Sequence, residues 1–308
     1  MKLESGALLC SACGDGFHGG EEVIDGIDRL HSVPGDFRVI ICAHCGSGTT
    51  TPVIPGDSFY ALYPSDYNAY ALPEGRALAA AATGLFHWRF ARALRRHPLQ
   101  SADRRFPRIL DVGGGRGDLA VMLSRHGAAV TVLDPSSPAC TTARARGVRA
   151  IEGTLESLTL PRDERFDALV FQHSLEHVAS PFETLETARG CIEPGGSLLI
   201  TLPNFGSQSR QRFGTYWFHL DLPRHRTHFT EHGLREALER AGFGEIECTT
   251  STSPDGFAMS EYYRRNGRAP RTTARRLTTA FAGITTSPLV SALTRDGDTL
   301  HASCRVLP

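Results

Sequence analysis

Four glycines, at 113, 114, 115 and 117, follow the apolar stretch Arg108-Ile109-Leu110-Asp111-Val112, and Leu119, Val121, Met122 and Leu123 then resume at helical spacing. The pattern predicts a buried strand, a tight turn and a helix start. Glycine lets backbone come close to a ligand, and the free N–H groups at a helix N-terminus favour carboxylates or phosphates. Several ligand classes use such a turn. Here an acid, Asp111, closes the strand and no Lys-Ser/Thr pair follows the last glycine, which argues against a P-loop. A second β-branched stretch over 129–134 ends in Asp134, one helix beyond Gly117. An acid at that place can accept hydrogen bonds from both hydroxyls of a ribose.

Two further stretches concentrate titratable groups. Gln172-His173-Ser174-Leu175-Glu176-His177-Val178 follows directly on an apolar run at 166–171. His-x-x-Glu-His also fits an inverted zinc-protease pattern, but that chemistry needs one long helix, and here a strand runs into the motif. The second stretch, 203–230, holds Tyr216, Trp217, His219, Asp221, His225 and His228. Histidine suits removal of a proton from a hydroxyl, an amine or an acidified C–H. For each histidine the alternative is an anchor that holds the loop by backbone hydrogen bonds, and for Glu176 and His177 a role at the start of a helix. Thr230 is placed to cap a helix beginning at 231, with Gly233 where a full capping box would need an acid.

At this point the chain resembles the class I S-adenosylmethionine-dependent methyltransferases, with Asp111–Gly117 as the first motif and Asp134 as the second-strand acid. The HxLEHV and PN…W..LD.PRH..HFT stretches are similar to those of members acting on small molecules and sugars. The resemblance implies that Asp111, Gly113, Gly115, Gly117, Asp134, Thr154, Leu155, Gln172 and His173 line the S-adenosylmethionine site. It implies catalytic roles among His173, Glu176, His177, His225 and His228, and substrate contacts from Tyr63, Tyr67, Tyr70, Tyr216, Trp217 and His219. In some quinone O-methyltransferases the corresponding acid–acid–His group holds a divalent ion; here His173 replaces the first acid.

Cys10-Ser11-Ala12-Cys13-Gly14 and Cys42-Ala43-His44-Cys45-Gly46 are two knuckles of the same form, one on each side of the stretch 15–41. Four thiolates so presented suit a tetrahedral structural zinc, with redox pairs as the alternative. Strands near 21–28 and 37–41, joined by a turn at Pro34-Gly35, complete a zinc ribbon. A filled four-cysteine site has no open position, so no catalysis is expected of it. His18 and His44 are expected to face solvent.

These groups need elements to position them. Strands are expected at 108–111, 129–134, 148–152, 166–171, 197–202, 245–250 and 299–306, with the helix before the fifth ending at Pro194-Gly195-Gly196. Seven strands, the last returning after a long excursion, is a Rossmann-like α/β sheet with helices on both faces, distinct from the six-stranded dinucleotide fold. The expected organisation is a zinc ribbon at 1–55, a Tyr-rich linker and helical lid at 56–105, and an S-adenosylmethionine-binding domain at 106–308 with insertions at 204–230 and 251–297. The tyrosines form either a strap between domains or a lid over substrate. The arginines at 89–108 form either a phosphate grip or a solvated face, and the arginine-rich second insertion either a cap or a contact for a homo-oligomer.

Net charge is zero across 308 residues, and Lys2 is the sole lysine among 33 basic residues. Such balance gives no general attraction to nucleic acid or anionic lipid. No apolar run reaches the length of a membrane span, the first residues carry no secretory pattern, and paired cysteines suit a reducing compartment, so a cytoplasmic enzyme is expected. The reading is a methyltransferase acting on a small biosynthetic molecule, a sugar nucleotide or another secondary metabolite. The alternatives are an rRNA or tRNA methyltransferase, since some of those also begin with a zinc ribbon, and a non-methylating scaffold that keeps the fold.

Overall fold

The glycine after each cysteine pair closes its knuckle. In the computed structural model, which describes residues 8–63, 107–159, 164–252, 256–270 and 297–307, Gly14 N–H donates to Cys10 O at 2.8 Å and Gly46 N–H to Cys42 O at 2.9 Å. Both glycines have positive φ, 80° and 71°, a conformation that a Cβ disfavours. Between the knuckles, β1 (Val23–Gly26) and β2 (Phe37–Ile41) pair antiparallel, and β3 (Gly48–Thr51) adds to β2. A short helix, α1 (Gly56–Tyr60), follows.

The second sheet begins with β4 (Arg108–Val112) and continues through α2 (Asp118–Arg125), β5 (Ala129–Asp134), α3 (Ser137–Ala145), β6 (Arg149–Glu152), β7 (Phe166–Gln172), α4 (Pro181–Cys191) and β8 (Ile192–Pro203). These five strands are parallel. Strands β4 and β7 are buried along nearly their whole length, as strands covered on both faces must be. The chain then runs through α5 (Gln208–Phe213), β9 (Thr227–His228), α6 (Glu231–Arg240), β10 (Phe243–Ser251), α7 (Gly256–Asn266) and β11 (Thr299–Val306). Strand β11 inserts antiparallel between β8 and β10, giving the order β10-β11-β8-β7-β4-β5-β6. This is the seven-stranded sheet expected from the sequence.

One expectation is corrected. Helix α4 stops at Cys191, and Pro194-Gly195-Gly196 lie within β8 rather than at the helix end. They form a bulge between the pairs Phe166–Ile192 and Ala168–Ser197. A Cβ on Gly196 would stand 2.8 Å from the Asp167 carbonyl oxygen, so the neighbouring strand leaves room only for glycine.

Strand β9 belongs to the other sheet. It pairs antiparallel with β3, Gly48 opposite His228 and Thr49 opposite Thr227, so the segment after β8 completes the cysteine-knuckle sheet. A shared apolar cluster lies behind it, in which Phe37, Val39 and Ile41 meet Phe205, Phe213, Trp217 and Leu222. Chain order reverses beside β4, with β5 on one side and β7 on the other. The crevice beyond the C-terminal ends of those strands is where open α/β sheets bind ligands.

Candidate active site

The glycine turn lies at that crevice. Gly113, Gly115 and Gly117 have φ of 71°, 54° and 77°, and Gly117 is the N-cap of α2. Two carboxylates underlie the turn. Asp134, at the end of β5, accepts Gly115 N–H at 2.9 Å and Ser136 N–H at 2.8 Å. Asp111 is 1% exposed, and its two oxygens have no hydrogen-bond partner among the described residues. A Cβ on Gly114 would come within 2.6 Å of Asp111 Oδ2. Burial, with the charges of Asp134 and Asp118 behind it, pushes the Asp111 carboxyl up to about 7. Burial also raises Asp134, although its two N–H donors oppose the shift. A glycine cradle that no side chain could fill, beside an orphaned buried carboxylate, fits an extended ligand carrying an ammonium group and a ribose. Next to it, Gly153 N–H bonds Asp134 O, Leu155 is buried and Thr154 is tied to Ser157.

The turn abuts the end of β7. A Cβ on Gly113 would meet Ser174 Cβ at 2.5 Å, and Ser174 Oγ donates to Val112 O at 2.6 Å. Beyond Gln172, His173 takes φ of 51°, its N–H bonded to Thr201 O at 2.7 Å. The next residues, Leu175–His177, form a 3₁₀ turn rather than an α-helix start. Glu176 is 1% exposed and its oxygens lack hydrogen-bond partners among the described residues. The imidazole nitrogens His173 Nδ1 and His225 Nε2 lie 3.5 and 3.9 Å from Glu176 Oε1.

The segment after β8 folds over this turn. Arg226 N–H donates to Glu176 O at 2.8 Å. The rings of His177 and His225 meet edge to face with centroids 4.6 Å apart. His225 Nδ1 lies 2.9 Å from His219 O, and His177 Nδ1 lies 3.0 Å from Arg224 O and 2.9 Å from the Tyr63 hydroxyl. A carbonyl can only accept, so in both rings Nδ1 carries a hydrogen, which His177 directs at Arg224 O beside the Tyr63 hydroxyl. Burial, and then the neighbouring His177 and His228, hold His225 well below its ordinary value. Glu176, His177 and His225 offer ligand atoms within 4.8 Å of one another, a set able to take a cation.

Other expected site residues have different surroundings. His228 lies in β9, 4% exposed, with Nε2 2.9 Å from Thr50 Oγ1. That hydroxyl gives its one hydrogen to His225 O at 2.7 Å, so His228 Nε2 must be the donor. Burial holds His228 at about 3. It is a neutral anchor between the two sheets, the alternative that the sequence left open for this histidine. Trp217, expected among substrate contacts, is 1% exposed and packs in the apolar cluster against Phe205. Tyr216 carries the Arg29 guanidinium 4.3 Å above its ring. His219 lies 3.6 Å from Asp298, a buried acid just before β11. Tyr67 and Tyr70, with the lid helix and most of its arginines, lie outside the described residues.

Sequence reasoning missed the group that fixes this loop. Arg224, fully buried, makes a fork to Asp28 at 2.8 and 3.0 Å and binds Asp221 at 2.6 Å. Asp28 also accepts the N–H groups of Leu30, His31 and Val33. The cis bond Leu222–Pro223 precedes Arg224. Arginine is so abundant in the chain that one more carries no signal, and Asp28 is remote from it in sequence.

In the cysteine cluster, Cys10 and Cys45 sulfurs are 3.7 Å apart, as are those of Cys13 and Cys42. Tetrahedral zinc with bonds of about 2.3 Å sets its sulfurs roughly 3.8 Å apart, so the four thiols fit one zinc.

None of the described helices is long and apolar enough to cross a membrane. Residues 85–247 match the family described as methyltransferase domain. The chain is 35% identical over 108 residues to a ubiquinone biosynthesis O-methyltransferase of Alkalilimnicola ehrlichii, covering 33% of this chain and 44% of that protein. It is 33% identical over 120 residues to the protein of the same name from Xylella fastidiosa, covering 36% and 45%. The matches thus span somewhat under half the length of these relatives. A phosphoethanolamine N-methyltransferase 2 of Haemonchus contortus, solved with S-adenosyl-L-methionine, shares the fold with a TM-score of 0.53 at 17% identity, covering 85% of this chain and 62% of that one. With more than half its length matched and a seven-stranded sheet of the expected order, the chain belongs to the methyltransferase domain family and is built on the class I S-adenosylmethionine-dependent fold.

Proposed function

We propose that the protein methylates a hydroxyl group of a small biosynthetic molecule, using S-adenosylmethionine. One observation carries the reading: Ser174 locks the glycine cradle directly against the turn bearing Glu176 and His177, so a proton acceptor stands beside the cofactor site. When bound, S-adenosylmethionine supplies an electrophilic methyl group on a sulfonium. Asp134 would hold the ribose hydroxyls and Asp111 would neutralise the ammonium end beneath the turn.

His177 Nε2 is the proton acceptor in this reading. Its Nδ1 is fixed by Arg224 O and Tyr63, whereas His225 is the more deeply buried of the two rings. Tyr63 lies at the edge of the site, where a substrate would pass. Holding the reactants in line contributes about 7–11 kcal/mol, more than the roughly 10²–10⁴-fold expected of a general base. An oxygen acceptor agrees with the name of the two relatives, O-methyltransferase, and a sugar nucleotide and a quinol are the substrates to try first. The four-cysteine site would hold a structural zinc. A balanced net charge and a loop rich in histidine and aromatic rings favour a small substrate over RNA.

The test is calorimetry with S-adenosylhomocysteine, followed by transfer of labelled methyl from S-adenosylmethionine to a panel of small hydroxyl compounds. Asp134→Ala is expected to weaken nucleoside binding by at least about tenfold, the loss of its hydroxyl bonds. His177→Ala should keep the affinity and lose about 10²–10⁴-fold in transfer rate. A folded protein that binds no S-adenosylhomocysteine would end the proposal.

A further inference from the structure

Away from the crevice, a second set of ligating side chains converges at the seam between the knuckle sheet and α6. His232 and Glu236 lie one turn apart on one face of α6, and His44 reaches them from the second knuckle. His44 Nε2 lies 2.7 Å and His232 Nε2 3.7 Å from Glu236 Oε1, and the two imidazole centroids are 5.8 Å apart. The three ligand atoms fall within 4.8 Å of one another. We propose that His44, His232 and Glu236 bind a divalent transition-metal ion of the zinc class, separate from the four-cysteine site.

The spacing is close to what one ion requires, and two observations beyond proximity support the site. Nitrogen and oxygen ligands at about 2.0–2.1 Å from tetrahedral zinc stand roughly 3.4 Å apart, so small side-chain rotations bring all three onto one ion. Glu236 Oε2 is shielded from solvent yet has no hydrogen-bond partner among the described residues. A bound cation would satisfy it. The two elements are also held rigidly together, since Thr230 Oγ1 donates to Cys45 O at 2.7 Å and a Cβ on Gly233 would fall 2.2 Å from Ser47 Oγ. The ligands therefore need no gathering before metal binds.

The surroundings select the ion. Two imidazoles and one carboxylate suit zinc, nickel or copper rather than the all-oxygen preference of calcium and magnesium. Beside the cluster is an open concavity of about 440 Å³ that also carries Asp15 and Glu239. The Arg240 guanidinium, in the same wall, is turned onto the Cys13 carbonyl. With three protein ligands, this site keeps a position open to water, unlike a closed four-cysteine site. The ion would tie the second knuckle to α6, whose capping residue Thr230 ends the segment carrying His225 and His228.

The test titrates zinc into this chain, and into its His232→Ala and Glu236→Gln variants, in non-chelating buffer. Bound zinc is counted by native mass spectrometry and affinity measured by calorimetry. Wild type is expected to hold one zinc more than either variant, and loss of a ligand to weaken the site at least about 100-fold. His18→Ala, on the exposed surface, should leave the count unchanged. Circular dichroism confirms that the variants fold. Equal counts in wild type and both variants up to about 100 µM free zinc would overturn the proposal. Because the readout is a difference between chains, it does not depend on occupancy of the cysteines or on methyl transfer.

Discussion

Asp111 and Asp134 stand at adjacent strand ends under one turn, yet the backbone treats them differently. Asp134 receives two N–H donors, while Asp111 receives none and is pushed up to about 7 by burial, then by Asp134 and Asp118. An ammonium group bound above the turn favours the ionised form of Asp111, so binding below pH 7 must release a proton. The affinity for S-adenosylhomocysteine is therefore expected to fall about tenfold for each pH unit below 7, and to level off above it. Calorimetry between pH 5.5 and 8 checks this, and Asp111→Asn should bind weakly with a flat profile. A steep profile retained by Asp111→Asn would mean that another group carries the proton. The acid itself was legible from the spacing of the glycine motif. Its isolation was not, because that follows from how the turn closes over it.

At the scale of elements, the sequence marked whatever announces itself locally. The cysteine pairs, the glycine turn, the Thr230 cap and the strand at Thr299–Val306 each carry their signal within a short stretch. Strand β9 does not. An element as short as Thr227–His228 has no periodicity, and it exists only because β3, from the far N-terminal part of the chain, offers an edge. The same remoteness hid Asp28 and Thr50, the partners of Arg224 and His228. Removing one member of a buried ion pair leaves the other charge uncompensated, which costs about 3–5 kcal/mol. Arg224→Met is thus expected to lower stability to urea by that amount. Asp28 sharpens the expectation: burial alone would raise its carboxyl, but Arg224 outweighs this and holds it below its ordinary value. The stability so contributed is present above about pH 4 and is lost as pH falls through the lowered folded value. Arg224→Met should lose this acid-sensitive part, seen as a shallower decline of the urea midpoint on acidification.

Across the whole molecule, the knuckle sheet and the catalytic sheet share the segment 204–230, which contributes β9 to one and lays His225 against His177 at the other. A zinc ion held by the four cysteines would contribute on the order of 10–16 kcal/mol to folding, as it does in other small zinc modules. Loss of that ion should therefore loosen β3 and β9, and with them His225 and His228, while β4, β5 and the glycine turn keep their own core of Ile109, Val132 and Leu119. Cys13→Ser separates the two halves. It is expected to release the cysteine-bound zinc and abolish methyl transfer, yet leave S-adenosylhomocysteine affinity within about twofold, because Ile109, Val132 and Leu119 support the cradle on the face opposite the one where Leu110, Val112 and Leu133 share a core with the knuckle cysteines. Trp217 reports the loosening directly, since it is 1% exposed beneath β2 and its neighbours. In a Trp88→Phe background, its fluorescence should shift to the red when Cys13 is replaced. Parallel loss of nucleoside affinity and of Trp217 burial would show instead that the two sheets unfold as one unit, and that the ribbon supports the cofactor site as well as the substrate loop.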